Sequence, residues 1–344
     1  MTKYFSDIRT QPEQLTKCIA HAISEVAKLR EAAALIANCE MLWIVGIGAS
    51  WNAGLAIEAI FDSKGINCRL CDASEFVYQK DLRAGSIALF LSRSGKSIEI
   101  IQGVGKCRNE NVPIVSITND IKSPLAKQSK VALHTHVNFD HSISVNTFSS
   151  IILLGVALAQ TTVDNAWLET NQSSICRDLT LLPSYIEIWD ANCKKNLSGS
   201  KWYYFIARGS ARCSAYESRL LWEEAAKHPA TALSTGSFRH GPQEILRKDI
   251  AVVIWLTQPE NLQHDILLAR DIEATGVRVV TVAKSFVLDQ YQPSFLLPDV
   301  HEALEAVVAT IPMQLAAGHF SVWRGEDPDR FRYCNFIVES EGGL

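Results

Sequence analysis

The sequence has no excess of positive charge. Its 344 residues carry 33 lysines and arginines against 37 aspartates and glutamates, a net charge of -4 with a pI near 6.2. Dedicated nucleic-acid binders show a basic excess, so polynucleotide partners are set aside, while a local basic phosphate site stays open. A signal-like apolar block is also missing, because Lys, Asp, Glu and Gln interrupt the stretch from Met1 to Glu25. The longest apolar run, Ile151 to Ala159, falls far short of the roughly 20 residues that cross a bilayer. A cytoplasmic chain with no membrane partner is expected.

Paired metal-binding cysteines are absent too. Nine cysteines are scattered along the chain, an odd number that suits free thiols in a reducing compartment. Cys68 and Cys71 form one C-x-x-C on an expected strand, but no second pair follows to complete the roughly four ligands of zinc. Packing explains them better, and no metal or cofactor is expected. His134, His136 and His141 suggest a cluster, yet alternation along a strand edge is the plainer explanation, and no carboxylate motif accompanies them.

What remains is an ordinary folded composition, 47% hydrophobic and 20% charged, long enough for two cores. Gln11 to Cys39 reads as one long amphipathic helix with Leu15, Cys18, Ile19, Ala22, Ile23 and Val26 on a single stripe. Strands are expected at Met41–Val45, Asn67–Cys71, Ile87–Leu91, Ile114–Ile117 and Val131–His136, with helices at Trp51–Ser63 and Ile98–Asn109 between them. Apolar strands alternating with helices imply a parallel sheet covered on both faces. Ser144 to Thr161 closes this unit as a long apolar helix, and Ala166 to Ser200 reads as a linker containing a helix.

The pattern then restarts, with strands at Tyr203–Ala207, Ile250–Leu256 and Val277–Val282 and helices at Ala211–Lys227 and Asn261–Thr275. The stretch Ile44 to Ser50 aligns in kind with Phe205 to Ala211, and Asn111 to Thr118 with Gly276 to Ala283. The near-constant offset indicates internal duplication of one doubly wound α/β unit, a three-layer flavodoxin-like sandwich. The expected division is 1–40 as a helical segment, 41–165 and 201–344 as the two domains, and 166–200 as the linker.

Two loops suit an anion. Gly46-Ile-Gly-Ala-Ser50 joins a strand to a helix, where glycine permits a tight turn and the helix offers free amides. Trp51 replaces the third glycine of a dinucleotide fingerprint. Ser92-Arg-Ser-Gly-Lys-Ser97 follows a buried strand and opens the next helix. Its three hydroxyls, its glycine and the first-turn amides fit a phosphate monoester, while the spacing of a nucleotide P-loop is absent. An N-cap with spare serines is the bland alternative. Ser144 offers one more hydroxyl. Lys96 either adds charge or points to solvent.

In the second half, Glu217, Leu221 and Glu224 share one helix face, and desolvation beside a leucine would fit a carboxylate for proton transfer near neutrality. Glu223 points elsewhere and is expected to be solvated. His240, in the turn Phe238-Arg-His-Gly-Pro242, is on its own terms more often a surface group.

Taken together, Gly46–Ser50, Ala73-Ser-Glu-Phe76, Ser92–Ser97, Thr118-Asn119, His240-Gly-Pro242, Ile311-Pro-Met-Gln314 and Asp327-Pro-Asp329 resemble the sugar isomerase (SIS) domain family. The likeness is to the tandem-SIS isomerase half of glucosamine-6-phosphate synthase and its stand-alone relatives, over nearly the whole chain. The resemblance implies that Ser92, Arg93, Ser94, Gly95, Ser97 and Ser144 hold a substrate phosphate. It implies that Gly48, Ala49, Ser50 and Glu217 contact the sugar, that Glu224 moves a proton between C1 and C2, and that His240 assists ring opening from the neighbouring subunit of a homodimer.

Three departures from the synthase pattern shape the expected activity. No glutaminase segment precedes Met1-Thr-Lys-Tyr, Leu221 stands where the synthase helix has a lysine, and Phe336 aligns with the lysine of its tail. Without those amines a Schiff-base amination loses its nucleophile, and a Glu/His acid–base pair survives. The expected enzyme cleaves the C–N bond of an amino-sugar or ketosamine 6-phosphate, as a deaminase or deglycase. Alternatives are an aldose–ketose isomerase, an ammonia-dependent synthase-like enzyme, and a non-catalytic phosphosugar-binding regulator. Asn146, Arg208, Arg212 and Arg239 are candidates to meet a carboxylate on the amine moiety.

Overall fold

The computed structural model describes residues 2–79, 82–340 and 342. It divides into two compact units: a first unit of Thr10–Leu179 with Phe331–Leu344, and a second of Met1–Arg9 with Thr180–Arg330.

The chain begins with helices α1 (Lys3–Ser24) and α2 (Val26–Ala37). The single long helix expected from Gln11 is therefore two, broken at Glu25 (φ -113°, ψ 24°), and it starts eight residues earlier, since α1 runs through Pro12. A proline inside a helix removes one amide and frees the carbonyl four residues back. The division between the units falls beside it, at Arg9 and Thr10.

The first unit continues as β1 (Met41–Gly46), α3 (Ala49–Ser63), β2 (Cys68–Asp72), α4 (Ala73–Phe76), β3 (Ser86–Ser92), α5 (Ile98–Asn109), β4 (Ile114–Thr118), α6 (Pro124–Gln128), β5 (Val131–His134), α7 (Asn146–Thr161) and α8 (Trp167–Leu179). All strand pairs are parallel, in the order β2-β1-β3-β4-β5. Strand β3 is buried along its whole length, as a strand covered on both faces must be. Trp43, Phe76 and Phe90 meet edge to face at the centre of one core layer. Each such ring contributes roughly 1.5–3 kcal/mol by leaving water.

The second unit holds α9 (Leu182–Leu197), β6 (Trp202–Ala207), α10 (Arg212–Glu224), β7 (Thr231–Ser234), α11 (Thr235–Arg239), β8 (Ile250–Leu256), α12 (Leu262–Ala274), β9 (Arg278–Ala283), β10 (Phe295–Leu296) and α13 (Glu302–Trp323). Its parallel strands are ordered β10-β9-β8-β6-β7, which read from the other edge repeats the topology of the first unit. Helix α13 is the one described helix long and apolar enough to cross a bilayer; its apolar window is 83% buried, as a core helix requires.

The expected domain limits are corrected at three places. Residues 2–9 join the second unit because Tyr4 is buried there with its hydroxyl donating to the Gln314 carbonyl (2.9 Å), while the Lys3 and Tyr4 amides donate to the Asp329 carboxylate. The 166–200 stretch is not a linker but two packed helices, one per unit. Trp167, Leu168 and Ile175 of α8 are buried in the first unit, and Trp189 of α9 donates its indole N–H to the Leu296 carbonyl in the second. The tail from Phe331 belongs to the first unit rather than to the second domain.

Candidate functional site

In the first unit both glycine- or serine-bearing loops leave adjacent parallel strands, β1 and β3, at their carboxyl ends. That is where open α/β sheets bind ligands, at the point where strand order reverses. Gly48 caps α3 with φ 56° and ψ -131°, a conformation side chains resist, and Ala49 and Ser50 begin the helix, half-buried.

The loop after β3 is tightly folded. The Ser92 hydroxyl accepts from the Gly95 amide (3.0 Å) and the Ser94 hydroxyl from the Lys96 amide (3.2 Å). Gly95 has φ 61°, and a Cβ there would stand 2.3 Å from the Ser123 Oγ. Ser97 occupies the N-cap of α5, but its hydroxyl makes no capping bond. The bland N-cap reading therefore fails for the one serine in capping position. Lys96, left open between phosphate and solvent, pairs with Asp120 at 2.7 Å and holds that carboxyl below its usual range.

Arg93 is engaged by the chain itself. Its guanidinium donates to the Ser142 carbonyl (3.0 Å) and the Phe336 carbonyl (2.8 Å), and lies 4.0 Å from the Phe336 ring centroid. The Ile98 amide, in the first turn of α5, donates to the Val338 carbonyl (3.0 Å). The tail thus presents backbone carbonyls to the Arg93 guanidinium and to a first-turn amide of α5. Ser144 bonds to Thr147 (2.6 Å), whose hydroxyl donates to Asp140 (2.5 Å).

Asp140, which the sequence reading passed over, organises this corner. It is 2% exposed and accepts from the Asn146 and Thr147 amides at the start of α7. Burial raises its carboxyl pKa, with these hydrogen bonds opposing. The available signal was an acidic residue just ahead of an apolar helix. Asn146 is buried beside it, its backbone amide bound to the Asp140 carboxylate.

The remaining candidates lie in the second unit. Glu217 is fully buried and Glu224, at the end of α10, is half-buried, with Leu221 fully buried between them. Burial first, then the neighbouring Glu217 and Glu224 carboxylates, pushes the Tyr4 phenol well above its ordinary value. Tyr4 is thus a neighbour of both glutamates that α10 alone does not reveal. Glu223 is not simply solvated; it is half-buried, pairs with Arg219 at 2.9 Å, and burial raises its carboxyl pKa.

His240 follows α11, exposed, with its backbone amide donating to the Ser237 carbonyl (3.2 Å) and Gly241 turning the chain at φ 114°. Arg239 beside it is exposed, whereas Arg208 is bound to the buried Asp265 at 2.7 Å. Cys68 and Cys71 are free thiols, and burial raises the pKa of both, Cys68 to about 12.

Residues 35–162 match the SIS domain family. Over 95% of its length the chain is 27% identical to a glutamine–fructose-6-phosphate aminotransferase [isomerizing] of Pyrobaculum aerophilum, covering 55% of that protein, and over 92% it is 26% identical to its Escherichia coli K12 counterpart, again covering 55%. The chain therefore spans about half the length of these curated relatives. Among solved structures it resembles the C-terminal domain of the Francisella tularensis glucosamine-fructose-6-phosphate aminotransferase (TM-score 0.85, 21% identity, 95% of this chain and 97% of that one). It also resembles the Thermotoga maritima glucosamine-6-phosphate deaminase (TM-score 0.82, 22% identity, 98% and 99%). At these identities the structural likeness is one of fold.

Proposed function

From the premise that residues 35–162 are a SIS domain, we propose that this protein is a cytoplasmic, homodimeric enzyme that cleaves the C–N bond of an amino-sugar or ketosamine 6-phosphate. The observation that carries the phosphate half of this reading is the loop after β3. There the cap hydroxyl of a 12-residue helix is not spent on the helix, and two neighbouring serines shape the turn around Gly95. Ser92, Arg93, Ser94, Gly95, Ser97 and Ser144 hold the phosphate, and Gly48, Ala49, Ser50 and Glu217 contact the sugar.

His240 assists opening of the ring. Glu224 then takes a proton from C1 of the open-chain ketosamine, giving an enolamine across C1 and C2. Return of the proton to C2 leaves an imine at C1. Water adds there and the C–N bond breaks, releasing free amine and an aldose 6-phosphate; the sum is one water consumed, with no oxidant or reductant. The synthase-like alternative is disfavoured by Leu221, which is fully buried, and by Phe336, stacked on Arg93, because neither position supplies an amine nucleophile.

The test is amine release from glucosamine 6-phosphate and from a panel of amino-acid ketosamine 6-phosphates, with wild type and Glu224→Gln side by side. Release from a ketosamine, lost in the variant, supports a deglycase, and release from glucosamine 6-phosphate alone a deaminase. Aldose–ketose interconversion without amine release replaces the reading with an isomerase. Phosphosugar binding without turnover replaces it with a regulator.

A further inference from the structure

The alternating histidines set aside in the sequence acquire a third partner in the fold. His21 comes from α1, while His134 ends β5 and His136 follows it; His141 is not part of the group. One ring nitrogen of each lies within 4.8 Å of the other two. The His21 and His136 rings stack at 4.4 Å, and His134 stands edge-on to both at 5.2 Å. Three imidazoles thus bring their nitrogens together, His21 and His134 half-buried and His136 open to solvent.

The surroundings orient one of the three rings. The His134 Nε2–H donates to the Asn119 carbonyl (3.2 Å), which leaves the lone pair on Nδ1. Asn119 is itself fixed, its side chain donating to the Val137 carbonyl and accepting from the Thr135 hydroxyl and the Val137 amide. His136 sits in the left-handed region at φ 53°, a conformation that histidine adopts more readily than most residues but that still strains the backbone. Glu25, one helical turn after His21, brings a carboxylate oxygen to 3.3 Å from His21 Nε2 and is otherwise paired with Lys28 at 2.5 Å.

We propose that His21, His134 and His136 form a site for a late first-row divalent cation, zinc above all. Three imidazoles with a fourth position left to solvent are a donor set of the kind zinc accepts. Nitrogens about 2.0–2.1 Å from a tetrahedral zinc stand ~3.4 Å apart, so the rings close by roughly an ångström and the stacked His21 and His136 rings turn until their lone pairs converge. The bound ion links α1 to the edge strand of the first unit's sheet. All three donors lie within one unit, and the site is independent of the reaction proposed above.

Zinc titration of the full chain by calorimetry, after chelator treatment, tests this. Wild type is expected to bind one zinc per chain and to melt several degrees higher at a hundredfold excess over the dissociation constant. His136→Asn, which keeps a residue tolerant of positive φ, and the His21→Asn/His134→Asn pair are expected to weaken binding at least tenfold and to abolish the thermal shift. The exposed position of the former guards against a folding failure in the latter. Cobalt in place of zinc is expected to give a nitrogen and oxygen ligand-field spectrum. Stoichiometric binding that survives both variants, thiolate-to-cobalt charge-transfer bands, or no binding by wild type would each overturn the site.

Discussion

The two units share a strand order, and in each the loops after the first and third strands of the repeat leave neighbouring strands at their carboxyl ends. Their contents differ. In the first unit these loops are Gly46–Ser50 and Ser92–Ser97, rich in small and hydroxyl-bearing residues. In the second, Arg208 is locked onto the buried Asp265, and the loop after β8 runs Thr257-Gln-Pro259, where Pro259 opens a short 3₁₀ turn and brings no amide. The second unit's candidate acid–base residues, Glu217, Glu224 and His240, lie elsewhere, on α10 and after α11. One backbone plan thus carries glycine- and hydroxyl-rich loops at this edge in one copy and a different loop chemistry in the other. The fold sets where a ligand can sit, and the side chains decide whether one does.

The sharpest break of this division of labour is Glu224→Gln. Amine release is expected to fall by about 10²- to 10⁴-fold, with phosphosugar affinity in equilibrium binding held near wild type. Loss of affinity in step with turnover would return Glu224 to a binding role. Next is Asp140→Ala, which strands two buried amides of α7 and is expected to destabilise the first unit by about 2–4 kcal/mol in denaturant melts. Its pH behaviour has a defined sign. Because burial raises its folded pKa, the folded state holds the extra proton above the ordinary carboxylate value of about 3.9, so this group's contribution falls as pH rises through the window. Asp140→Asn should flatten that slope.

Gly95→Ala places a Cβ against Ser123 at a positive φ. A loss of about 1–3 kcal/mol in stability and a larger loss in phosphosugar affinity are expected, read by thermal melts and binding titration. Lys96→Met should leave affinity within about twofold and stability within about 1 kcal/mol, since the lysine is engaged with Asp120 at the surface. Thr257→Ala, the second unit's counterpart, removes a buried hydroxyl that has no hydrogen-bond partner, so affinity should not change and stability should hold or rise slightly.

Most of this layout was legible in the sequence because the central strands are unbroken apolar runs, and α5 appears where its pattern says, at Ile98–Asn109. The edges were not. Strand β7 is a four-residue segment of mostly half-buried positions, and β10 is only Phe295–Leu296, too short to show a period. The break at Glu25 has no glycine or proline to announce it, while Pro12, which looks like a helix start, lies inside one. The two loops were placed by their glycines and hydroxyls between strand and helix, yet the partners of their side chains were not. Asp140, Tyr4 and the tail carbonyls act across long separations that spacing does not encode, and His21 meets His134 for the same reason.

The interleaving of the units has a consequence for how the molecule is made. A chain emerging from the ribosome folds from its amino end, unit by unit. Here residues 2–9 belong to the unit of 180–330, and the first unit receives its last segment, from Phe331, after the whole second unit has been synthesised. The sheet of 41–134 can assemble early, but Tyr4 must wait for Gln314, and Arg93 for the carbonyl of Phe336. The completed Ser92–Ser97 loop is therefore among the last features to form, and a nascent chain stalled before Phe331 would carry the sheet without the tail contacts to Arg93.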